Sequence, residues 1–327
     1  MVVLDEISEP ISLGHDYDLI DGHVVFDRAV GVLGADVESF QDIGGRYGKD
    51  KQMVYYMAEP VLIIDAKTVV YLGDGYIKDK RQVYWCAESI PGADPGSFVV
   101  LDYGYYAKDK NNIYYGREII ANADRKSFVV LNFDYAKDVN YGYYHSERFN
   151  VAEDFTALKH TNYAKDKHSV FYCTQPIPGA DPESFVNIDY EKYAKDKQSV
   201  YYRGQPIPGA DPGSFVVLKH DNYAKDKDKI YFDGKIIENC DYRSFIILSP
   251  CYAKDEKSVF YGNKSIAGAH VKSFKLIDGN YYYARDKRAI YYDGDAIVGA
   301  DYGSFYVRGV TSAYDKFGKF DRGNRIT

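Results

Sequence analysis

The chain has 327 residues, 46% of them hydrophobic and 27% charged, the balance of a soluble folded protein and enough for two ordinary domains or one repeat array. A formal net charge of -7 excludes a general electrostatic attraction to nucleic acid or anionic membrane. No apolar run is long enough to insert into a membrane, and "MVVLDEISEP" opens acidic without the apolar core of a signal peptide. Cytoplasmic residence is therefore expected, with the periplasm or envelope as the alternative if a leader precedes this chain.

Residues 1–40 read as a degenerate N-terminal capping repeat, in which Asp21, Phe26, Val32 and "GADVESF" stand at the spacing of the copies that follow. Residues 41–308 hold nine tandem copies of about thirty residues each. They align on Asp50, Asp79, Asp109, Asp138, Asp166, Asp196, Asp226, Asp255 and Asp286. A Tyr stands three residues before each Asp, and two aromatics follow at five and six beyond it. Those three columns hold 23 of the 35 tyrosines, so the tyrosine excess belongs to the architecture. Residues 309–327 read as a partial C-terminal capping repeat, with Lys319 and Asp321 where core residues would stand. Polar, worn end copies suit an open array.

Within a copy, "SFVVL" with the polar residues after it is the first predicted strand. The Asp-Lys segment then turns the chain, its Asp side chain bonding backbone N–H groups. A "VYY" strand follows, then a two-residue hairpin turn such as Asp233-Gly234, then a short "xPI" strand. Gly34, Gly92, Asn122, Gly179, Gly209, Asn239, Gly268 and Gly299 form one column, which predicts a left-handed backbone there. The Asp two residues later, often followed by Pro, is the N-cap of one helical turn. The expected fold is all-β: a tandem array of short three-stranded antiparallel meanders forming an open curved superhelix. Propeller-like closure is the alternative, against which a thirty-residue repeat is short.

Few residues suggest chemistry. Cys86, Cys173, Cys240 and Cys251 lack metal or disulfide spacing and read as free buried thiols. The Asp column is flanked by Lys or Arg, which opposes calcium, and no nucleophile or phosphate-loop motif is present. No cofactor is expected. Strand alternation, with Val marking the core, would turn the first aromatic of each pair outward as a binding stripe: Tyr114, Tyr143, Phe171, Tyr201 and their equivalents. The competing expectation is that a neighbouring layer covers that column. The fourth copy breaks the pattern. Gly142 replaces the core Val, and "HSERFNVAEDF" supplies His145, Glu147, Arg148, Phe149 and Glu153 beside Tyr143 as a candidate partner-binding segment. A neutral deletion scar is the alternative there.

The recurring "YAKDKxxVYY", and "DKNNIYY" at residues 109 to 115 above all, resembles the bacterial DKNYY family over about residues 17 to 326. The resemblance implies a bacterial repeat protein and transfers no active-site residue. It also implies an antitoxin or immunity role, because similar proteins sit beside interbacterial toxin genes. The functional expectation is a non-enzymatic protein-binding scaffold that covers the active site of a toxin domain. A cell-envelope or glycan-binding repeat protein comes second, and an enzyme housed in the fourth copy third.

Overall fold

The computed structural model describes residues 9–189, 192–220 and 222–326. They form strands and turns without an α-helix, Val271–Ser273 making a single 3-10 turn. No helix there is long and apolar enough to cross a membrane. The chain divides into two units, residues 1–159 and 160–327. Five four-stranded antiparallel sheets lie wholly within each unit, every one a meander with its strands in chain order. One sheet of the second unit stands for the rest: Val216–Val217, Tyr223–Lys225, Ile230–Phe232 and Lys235–Ile236. Its registers pair Val216 with Lys225, Tyr223 with Phe232 and Tyr231 with Ile236.

The meander thus has four strands and not the expected three. The polar residues after "SFVVL" do not prolong the first strand; they reverse the chain. In the representative sheet the Leu218 N–H donates to the Tyr223 carbonyl at 2.8 Å, and His220 sits at φ 61°. Tyr103 and Asp278 take the same left-handed conformation in the matching turns of other sheets. Tyr-Ala-Lys is then a strand of its own. The end copies also make complete sheets, the last beginning at Tyr306.

Strands of two to four residues persist because successive sheets cover both faces of one another. One layer contains Tyr193 and Val200 from one sheet, Ile207 and Phe215 from the connection, and Ala224 and Tyr231 from the next. The Ala of "YAK" is small because the connection's Phe lies over it. At Gly48, which takes that Ala's place, an added Cβ would fall 2.3 Å from the Phe40 ring. All eight members of the Gly/Asn column have positive φ, from 58° at Asn239 to 79° at Gly34 and Gly92. The Asp-Pro segment makes its single turn, Ser214 N–H donating to the Asp211 side chain at 3.1 Å.

The repeated Asp holds each sheet to its neighbour. Asp196 Oδ1 accepts the N–H groups of Gln198 and Ser199, both at 2.7 Å. Its Oδ2 accepts the N–H of Asp181 at 2.9 Å and the hydroxyl of Tyr201 at 2.7 Å. Burial pushes the Asp196 carboxyl up, but these donors outweigh it and hold the group below the usual carboxylate range. In the last sheet Phe320 has no hydroxyl to offer, and the Arg325 guanidinium binds both oxygens of Asp315 at 3.0 and 2.8 Å instead.

Candidate binding surface

A four-stranded meander places its first and third turns at one end and its middle turn at the other. The middle turn is the Asp-Lys end, where the recurring polar residues bond to one another. Lys195 Nζ donates to the Pro212 carbonyl at 2.8 Å, Lys197 pairs with Asp181 at 3.1 Å, and Ser184 Oγ accepts the Lys197 N–H at 3.1 Å. With the Asp oxygens already taken by N–H and O–H donors, this chemistry is scaffold. Among the described residues no cluster of three His, Cys, Asp or Glu side chains could hold a metal. The four cysteines are half-buried, and none is in a disulfide.

The double-turn end is fixed from behind. The Tyr three residues before each Asp reaches forward into the next sheet and bonds both of its turns. Tyr76 Oη donates to the carbonyls of Tyr105 and Gly116, at 2.8 and 2.9 Å. Tyr106 does the same to Asp134 and His145, at 2.7 and 3.1 Å. Tyr223 is the exception, its buried hydroxyl lacking a partner. The platform for any ligand at this end is therefore stiff.

The predicted aromatic stripe does not face outward. Tyr114 and Tyr143 are 0% exposed, Tyr201 1% and Phe171 5%. Alternation correctly put these rings opposite the core Val. What sequence alone could not show was the preceding sheet, whose connection covers that second face; Phe185 lies 5.4 Å from the Tyr201 ring. The hydroxyls of Tyr114, Tyr143 and Tyr201 all end on the repeated Asp. Burial, with the Asp196 bond adding to it, pushes the Tyr201 phenol up to about 12.

The fourth copy's segment divides between core and surface. Phe149 is half-buried, packed 5.5 Å from Phe155 and paired across the strands with Gly142. A Cβ on Gly142 would meet Val151 at 2.8 Å and Phe149 at 3.1 Å. Other copies place Val or Ile at the Gly142 position, and Val or Ile such as Ile120 and Ile207 at the Phe149 position. The pair has exchanged bulk across one layer, and Phe149 fills part of the space that Gly142 leaves. His145 stacks between Tyr115 and Tyr144, with ring centroids 4.6 and 4.2 Å away, and its Nε2 lies 3.0 Å from Asp134 Oδ1. It joins two sheets. Arg148 is exposed but lies over the Tyr141 ring at 5.0 Å, toward the Asp-Lys end. Glu147 and Glu153 are exposed, and the Glu153 carbonyl accepts a bond from Lys137 Nζ at 3.2 Å.

Exposed aromatics lie elsewhere, several in the second unit, such as Tyr281, Tyr306 and Phe317, and a group of three in the first. Tyr103 and Phe133 are each 47% exposed and Tyr105 42%, all in first turns of the first unit. The Tyr103 and Phe133 rings meet edge to face at 5.5 Å, and Tyr105 lies 5.9 Å from Tyr115. The available signal was length: copies differ in length between "SF" and the next Tyr, and that segment is this turn. Its composition varies equally, as "LDYGYY", "LNFDY" and "LKHDNY" show.

No curated protein and no solved structure matches the chain. The profile of the DKNYY family matches residues 76–205 and 193–316, two overlapping stretches that cover most of its length. Each match takes in several Asp-centred sheets of the kind described above, and the chain belongs to the DKNYY family.

Proposed function

We propose that this DKNYY protein is a bacterial, non-enzymatic protein-binding scaffold that neutralises an interbacterial toxin by covering its active site, with the sheets continuing as an open array. The observation that carries the reading is a division of labour. Recurring polar side chains bond within and between sheets, whereas the stiffly held first turns vary in length and composition and carry exposed rings. Variable turns on a rigid frame suit recognition of another macromolecule. The test produces the chain with the product of each adjoining gene, measuring binding by calorimetry and protection by growth on co-expression. Tight binding to a toxic product, with rescue of growth, is expected. A locus in which no product binds or is neutralised overturns the proposal.

The exposed Tyr103, Tyr105 and Phe133 also suit stacking on sugars, which supports the envelope or glycan-binding reading second. Retention on purified cell-wall polysaccharide, lost on removing those rings, would favour it.

A further inference from the structure

The double-turn end of the third, fourth and fifth sheets in chain order (residues 70–89, 99–119 and 129–149) is acidic as well as aromatic. Each of these sheets places one carboxylate in its first turn and one just after its hairpin turn: Asp74 and Glu88, Asp102 and Glu118, Asp134 and Glu147. Cross-strand register sets the second of each pair opposite an aromatic, Trp85 with Glu88, Tyr115 with Glu118 and Tyr144 with Glu147. One arginine, Arg117, stands among them, and it is ion-paired to Glu88. The fold does not demand this acidity. The residues matching Glu88, Glu118 and Glu147 in sheets of the second unit are Gln205, Lys235, Lys264 and Asp295. Within the same patch the Tyr103 and Phe133 rings form an exposed pair.

We infer that this face of the first unit docks a cationic, arginine-bearing segment of a partner protein. The inference rests on the protein-binding reading and adds to it the partner's chemistry. Guanidinium groups are planar and weakly hydrated, so they can lie on the Tyr103, Tyr105 and Phe133 rings while their N–H groups reach Asp74, Asp102 and Glu118. A lysine ammonium satisfies the charge but stacks poorly. The chain's own arginines use both halves of this chemistry, Arg148 over Tyr141 and Arg325 on Asp315. Turns riveted by Tyr76 and Tyr106 hold rings and carboxylates in place before a partner arrives, which lowers the ordering cost of docking.

The only tryptophan reports on this face. Trp85 Nε1 donates to the Asp74 carbonyl at 3.1 Å, and its ring lies against Gly116, whose N–H bonds the Tyr105 carbonyl. Trp85 fluorescence would be titrated with the synthetic peptides (Arg-Gly-Gly)4, (Lys-Gly-Gly)4 and (Glu-Gly-Gly)4. The whole chain would be compared with Tyr103→Asn/Phe133→Ser and with Asp74→Asn/Asp102→Asn. These positions are exposed, and Asn accepts the positive φ of Tyr103 and Asp74, so unchanged melting curves should show that the variants fold. The arginine peptide should give a saturable response that either variant weakens at least tenfold. The lysine peptide should bind several-fold more weakly, and the glutamate peptide should not bind. Equal responses to arginine and lysine, no loss in the ring variant, or response only to a chitin oligosaccharide would each overturn the inference. A toxin that binds both variants as tightly as wild type would also overturn it, while leaving the scaffold reading intact.

Discussion

Replacing Asp196 by Asn keeps the shape of the side chain and changes its bonding. The remaining oxygen can still accept the N–H groups of Gln198 and Ser199. The new amide nitrogen then faces the N–H of Asp181, donor against donor, and only the Tyr201 hydroxyl can turn to accept from it. One charge-assisted bond is lost, one part-buried N–H is left without an acceptor, and the other bonds lose their charge. A bond to a charged group contributes about 1.5–3 kcal/mol and a stranded donor costs a similar amount, so about 3 kcal/mol of destabilisation is expected. Tyr201→Phe removes one donor and leaves the carboxylate its other three, for about 1.5 kcal/mol. The double variant should cost less than the sum, because both changes act on one network. Hydrogen exchange at the Asp181 N–H, together with urea denaturation, reads the local and the global effect. If Asp196→Asn stays within about 0.5 kcal/mol of wild type, or Tyr201→Phe costs more, the Asp is not the hub described here.

Gly142→Val should overpack the fourth copy by about 1–3 kcal/mol and Phe149→Ile should leave a gap costing about 1 kcal/mol, whereas the two together restore the common pattern and should be near neutral in a double-mutant cycle. Gly209→Val, at φ 71°, should cost on the order of 1–2 kcal/mol, and an unchanged denaturation midpoint would contradict the left-handed turn. Asp109, Asp138, Asp196 and Asp226 are held below the usual carboxylate range, so their stabilisation is present above the unfolded value near 4 and lost as pH falls through the folded one. Melting temperature should therefore be level from about pH 7 to 5 and fall below about pH 4. Tyr55, Tyr114 and Tyr201 are pushed up to about 12, so their contribution is whole below about pH 10 and is lost as pH rises through about 12; absorbance at high pH should rise in one step with unfolding. Chelators should leave the melting curve unchanged, and a drop reversed by calcium would contradict the bonding of the Asp column.

Much of the fold could be read because each copy repeats the same local demand. The Gly/Asn column, the Asx-type Asp turn and the buried Val each follow from one residue's own conformational or polar needs, and the structure has all three. The missed features depend on neighbours. A separate Tyr-Ala-Lys strand requires the polar residues before it to reverse the chain, and a strand of three can be mistaken for the tail of another. Tyr201 reads as outward-facing until a second sheet is laid on it. Phe149 resembles an exposed anchor until Gly142 is seen to lack the bulk that Phe149 supplies. Two of the surface rings, Tyr103 and Phe133, sit in turns whose irregularity made them easy to pass over as mere connections.

The forward reach of Tyr76, Tyr106 and their equivalents has a further consequence. Apart from that of Tyr223, these hydroxyls bond a pair of turns one sheet ahead, and successive sheets offer much the same pair. A folding chain that skips a sheet and joins the one beyond finds nearly the same partners, so misregistry by a whole copy carries little local penalty. What distinguishes one joint from another is its irregularity. The His145 stack on Tyr115 fits one seam, and the Gly142–Phe149 exchange fits one layer. On this view the odd fourth copy is an alignment mark in a monotonous chain. Its regularised variant, Gly142→Val/Phe149→Ile, would keep its stability and yet refold with more misaligned and intertwined species.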